Sequence, residues 1–222
     1  MNSWFSIAPI VSTFVLMAGS GSGKTGMEPA PAQTLSIHLY DRAQAPAPTL
    51  DSATGQANYL FRAVGIRIKW ECPSPELPED RGTDMTSAAF QQPDARPYVV
   101  VRLIRRTPAT VFPGALGYAL PFARTGAHVV IFYDRVEILA HSANEAVDVV
   151  LGYAMAHEIG HVLLGSSEHA RGGLMQARWT SATWRLASSG LLVFTHEEAE
   201  RMSAGLQKFQ VRNVFASAVS QP

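Results

Sequence analysis

Residues His157 to His161 read His-Glu-Ile-Gly-His. Two histidines four positions apart share one face of a helix, where both imidazoles can reach a single metal ion. Glu158, beside the first of them, has the position of a general base that takes a proton from a water activated by the metal. The chemistry such a pattern supports is metal-assisted hydrolysis. The flanking residues are apolar nearly all round a helix, so the helix is expected to be buried. Two imidazoles and a carboxylate there carry a heavy desolvation cost unless something compensates it. A zinc ion would; so, in the structural alternative, would hydrogen bonds to the histidines and a salt bridge to the glutamate.

Zinc in a hydrolase needs a third protein ligand and an open position. The common long form of the motif, H-E-x-x-H-x-x-G-x-x-H, has its glycine seven and its last histidine ten residues after the first. Here the tenth position is Ser167, a poor ligand, while Gly165 stands at eight and His169 at twelve. The requirement is geometric: the helix must stop, the chain must turn, and a ligand must swing back. A glycine in the left-handed conformation supplies the turn. His169 is therefore the favoured third ligand, with Glu168 a weaker candidate. A later helix offers Glu197, Glu198 or Glu200 instead, the arrangement of a gluzincin-type peptidase.

The elements that must position these groups follow from periodicity. "TLSIHLYD" alternates as a first strand, and "TLDSATGQANYLFRAVG" gathers Leu50, Ala53, Ala57, Leu60 and Phe61 on one helical face before Gly65. "IRIKW" alternates again, and "YVVVRLI" is apolar enough for a central strand. Residues 71–97 read as a surface loop rich in Pro, Asp and Ser. A glycine-punctuated segment from Phe112 enters a further strand, Val129–Tyr133. Ser142 and Glu145 have capping-box spacing and would start the long buried helix, which ends at Gly165. Thr195 and Glu198 repeat that spacing at the start of a last helix. No repeat and no internal boundary interrupts this order.

"HEIGHVLLGSSEH" followed by "GGLM" resembles the metzincin clan of zinc metallopeptidases, and "GALGYALP" with "GAHVVIFYD" resembles the segment before the zinc helix in its matrixin-like members. The resemblance implies an α+β, metzincin- or zincin-like fold: a mixed twisted sheet, a long buried active-site helix and a C-terminal helix. It implies an endopeptidase with zinc on His157, His161 and His169 and Glu158 as catalytic base. Met175 would be the methionine of a turn beneath the metal, and a peptide substrate would lie along an edge strand, taken as Val129–Tyr133. The match in residues runs from Gly114 to Met175. Ala177 stands where some members carry a tyrosine ligand, and Cys72 is outside any latency segment and reads as structural. His38, His128, His141 and His196 read as ordinary polar residues. A non-catalytic zinc-binding interaction protein on a zincin scaffold is the alternative, and a general base such as Glu158 argues against it.

The rest of the chain narrows the class. Eighteen basic residues balance eighteen acidic ones, so no net field favours nucleic acid or anionic lipid. Residues 1–32 read as a signal peptide or N-terminal anchor with linker: an apolar run from Trp4 to Gly19, then Ala30-Pro31-Ala32 as an A-x-A site. The catalytic domain would be residues 33–222, secreted or periplasmic, or else anchored at its N-terminus, with no stable membrane span once the leader is cleaved. "AGSGSGKT", residues 18–25, imitates a phosphate loop, but Pro29 and Pro31 oppose the helix that gives such a loop its mechanism.

Overall fold

The computed structural model describes residues 33–72, 98–105, 107, 110–121 and 127–219, with 211–219 as backbone only. The leader, the phosphate-loop imitation and nearly all of the expected loop at 71–97 lie outside the described residues.

Strand β1 (Gln33–Asp41) alternates as expected, burying Leu35, Ile37 and Leu39 on one face. The Asp41 carboxylate accepts from the backbone N–H groups of Ala43 and Ala45, turning the chain into helix α1 (Ala47–Ala63). Helix α1 buries Ala53, Ala57, Leu60 and Phe61, and Gly65 at φ +78° ends the unit where a side chain would be strained. Strands β2 (Ile66–Glu71), β3 (Tyr98–Ile104), β4 (Gly117–Leu120) and β5 (Ala127–Phe132) complete one five-stranded sheet of order β2-β1-β3-β5-β4. All neighbours run parallel except β4, which pairs antiparallel with β5. The result is an α+β fold on a mixed sheet.

Four helices follow: α2 (Tyr133–Ala143), α3 (Val147–Leu164), α4 (Ser181–Ser188) and α5 (His196–Val219). Helices α1 and α3 share one core with the sheet face formed by Val99, Val101, Leu103, Val129 and Ile131. Their close approach depends on Gly152, where a Cβ would come within 2.7 Å of the Gln56 Cβ. By length and composition α3 could cross a membrane, but 72% of it is buried in the fold, so it is the core helix.

Three expectations are corrected. The segment Val129–Tyr133 is not an edge strand. Strand β5 lies between β3 and β4, all six of its residues are buried, and Tyr133 already belongs to α2. The short β4 folds back along its outer side and is itself the edge. Ser142 and Glu145 do not form a capping box. Helix α2 ends there, with Asn144 in the left-handed conformation at φ 54°, and α3 starts separately after Ala146. The Ser142 hydroxyl donates to the Leu139 carbonyl, and Glu145 accepts from Ser188. Finally, between Gly165 and the last helix, where no further element was expected, a capping box between Thr180 and Thr183 starts α4.

The expected box at Thr195 and Glu198 is present. The Glu198 carboxylate accepts from the Thr195 N–H at 2.7 Å, and the Glu198 N–H donates to the Thr195 hydroxyl at 3.3 Å. Further along α5, Gly205 packs so closely on α3 that an added Cβ would collide with the Leu163 carbonyl. Alanine in a helix interior ordinarily gains about 1 kcal/mol over glycine. Gly205→Ala should instead destabilise the protein by roughly 2 kcal/mol or more, because backbone cannot swing aside as a side chain can. A thermal melt reads this as a lowered Tm, and an unchanged or raised Tm would contradict the close crossing.

Candidate metal centre

Helix α3 carries His157, Glu158 and His161 through the core, where each is buried. The Nδ1–H of His157 donates to the Leu174 carbonyl at 3.0 Å, and that of His161 to the Ser166 carbonyl at 2.8 Å. A carbonyl oxygen only accepts, so both protons sit on Nδ1 and both Nε2 atoms present lone pairs. Burial also keeps the rings neutral: desolvation pushes His157 down to about 4, and His161 is lowered by the same cause. The two Nε2 atoms lie 3.1 Å apart. Two facing lone pairs repel, whereas both would bind a shared cation, so this donor set fits a metal ion.

The chain after α3 returns a third imidazole. Gly165 adopts the left-handed conformation at φ 59°, ψ 36°. Its N–H donates to the Val162 carbonyl and that of Ser166 to the His161 carbonyl, the paired bonds of a Schellman stop. The Ser166 hydroxyl accepts from the Glu168 N–H, and the Ala170 N–H donates to Met175, which draws the turn back across the helix. His169 thereby stacks on His157 with ring centroids 5.3 Å apart, and meets His161 edge-on at 4.9 Å. Ligand atoms of His157, His161 and His169 all lie within 4.8 Å of one another. Ser167 and Glu168 are exposed and stand outside this set.

The glutamates of the gluzincin-type alternative are not grouped with His157 and His161 among the described residues. Glu198 caps α5, Glu200 pairs with His196 at 3.3 Å, and Glu197 is exposed. Glu158 faces the sheet, and burial pushes its carboxyl up to about 8. Strand β4 passes directly over it: a Cβ on Gly117 would lie 3.2 Å from the Glu158 Cγ and 2.5 Å from the Val130 carbonyl oxygen. Glycine lets the edge strand approach the carboxylate this closely.

No protein-family model matches the chain, and no curated protein matches it in sequence. Among solved structures it is similar to metalloproteinase-II from Bacteroides fragilis (14% identity, TM-score 0.49), covering 82% of this chain and 55% of that one. This chain thus spans about half the length of that protein. It is also similar to a zinc-dependent peptidase from Methanocorpusculum labreanum (12% identity, TM-score 0.49), over 75% of this chain and 99% of that one. A third similarity is to archaemetzincin from Methanopyrus kandleri (13% identity, TM-score 0.47), over 82% and 99% respectively.

Met175 is buried beneath α3. Its Sδ would be 2.7 Å from a Cβ on Gly160, and the Phe194 ring edge 3.1 Å from it, so sulfur and ring fill the hollow that Gly160 leaves between the two histidines. Sequence reasoning missed Trp179, whose ring stands edge-on to His157 at 5.6 Å and packs on Tyr153 and Trp184. It also missed the carbonyls of Ser166 and Leu174, which no side-chain pattern could announce. The remaining histidines lie elsewhere: His38 pairs with Glu71, His128 meets Arg102, and His141 is exposed. Cys72, read as structural, is exposed just past β2.

Proposed function

We propose that this protein is a zinc-dependent endopeptidase. The observation that carries the proposal is the facing pair of Nε2 lone pairs at 3.1 Å, completed by His169. Zinc held by His157, His161 and His169 would supply Lewis acidity towards a peptide carbonyl and the attacking water. Glu158 takes a proton from that water and returns it to the leaving amine. The main-chain hydrogen bonds of the Leu174 and Ser166 carbonyls hold both imidazoles in the ligating tautomer. Met175, packed against Gly160, would serve as the methionine of a turn beneath the metal. An extended peptide would pair with the outer side of β4, which has no partner among the described residues and runs over Glu158.

The test is metal removal and return. Purified protein should contain about one zinc per chain and cleave a quenched fluorescent peptide library. Chelation should abolish cleavage, and zinc should restore it. Stoichiometric zinc with no cleavage of any library peptide would leave a zinc-binding protein and end the peptidase reading.

A further inference from the structure

The loop that leads into β4 holds a bulky side chain in a conformation such residues avoid. Phe112 has φ +40°, yet the residue is 55% exposed. Left-handed backbone at a non-glycine residue is strained and persists only where the surroundings impose it. Here Arg135 of α2 imposes it. Its guanidinium donates to the carbonyls of Val111, Phe112 and Ala115 at 2.6, 2.6 and 2.9 Å and lies over the Phe132 ring. The Phe132 N–H donates to the Leu116 carbonyl at 2.8 Å and ties the loop to the sheet.

The fixed ring has a neighbour. Phe112 and Tyr118 have centroids 5.0 Å apart, and Tyr118 in turn leans on Phe132. Alternation along β4 puts Tyr118 and Leu120 on the face opposite Gly117, and Leu120 is exposed. Gly117 faces Glu158. A peptide paired with β4 alternates in the same way. Where one of its residues lies over Glu158, the next in sequence presents its side chain to Phe112 and Tyr118.

We infer that Phe112 and Tyr118 form a specificity shelf selecting substrates with a large apolar residue adjacent to the one over Glu158. The inference rests on the peptidase reading and adds the side chain that the enzyme selects.

Labelled decapeptides differing at a single position (Phe, Leu, Lys or Ala), scanned along the peptide, test it on the zinc-loaded full chain. Wild type should favour Phe or Leu over Ala roughly tenfold in kcat/KM at one position. Phe112→Gly suits the backbone angle, so the fold should survive while the Phe-to-Ala ratio falls to about 2 or less. Phe112→Leu should keep most of the preference. An equal loss on every peptide, or an unchanged ratio in Phe112→Gly, overturns the shelf. Binding to Glu158→Gln, read by fluorescence anisotropy with and without Phe112→Gly, separates this idea from the peptidase reading. Selective binding that depends on Phe112 upholds the shelf even if wild type cleaves nothing. No binding of any peptide overturns it.

Discussion

Glu158→Gln should retain its zinc and lose cleavage by roughly 10²–10⁴-fold in kcat. The carboxamide fills nearly the same volume beneath β4 but cannot take a proton from water and pass it to an amine. Zinc content should stay the same, since the three clustered side chains proposed as ligands are histidines. Turnover equal to wild type would remove the proposed role of Glu158. The variant has a second signature in metal-free protein. Burial lifts the folded-state carboxyl to about 8, well above its ordinary value of 4.5. Between those values the folded chain holds a proton that the unfolded chain releases, so wild type loses stability as pH rises through that window. Metal-free Glu158→Gln lacks this loss. It should melt above wild type near pH 8, with the gap closing towards pH 4.

His169→Ala should weaken zinc binding by two orders of magnitude or more while leaving the fold nearly intact. The first effect follows because the side chain completes the cluster, and the second because it is exposed on the return turn. Glu198→Ala should do the reverse. The cap on Thr195 disappears, at a cost of about 1 kcal/mol or more in stability, and zinc affinity stays. Competition against a chromogenic chelator measures both. Full affinity in His169→Ala together with loss in Glu198→Ala would hand the third position to the later helix.

The parts of this molecule that sequence reveals are those where side chains carry the signal. Alternation at Leu35, Ile37 and Leu39 marks a strand. His157 and His161 mark a helical face, and Gly165 marks its end. Edge position is different, because it depends on which strand pairs outside β5. That is decided by four residues, Gly117 to Leu120, too short to announce themselves. The division between α2 and α3 was hidden for a related reason. Ser142 and Glu145 have the spacing of a helix start, while the left-handed Asn144 between them ends α2 instead. The third imidazole was legible once spacing was treated as a path in space, since a Schellman stop with a return turn absorbs the extra residues.

The two carbonyls that orient the imidazoles have a consequence for how this centre can change over time. Every amino acid brings the same carbonyl, so the grip on His157 and His161 does not itself use the side chains of residues 166 and 174. Substitutions at the exposed turn can accumulate without reorienting either ring, provided the chain keeps its course. The centre is therefore most vulnerable at the glycines that shape that course, at the imidazoles themselves and at the buried Leu174, whose packing sets the place of its carbonyl.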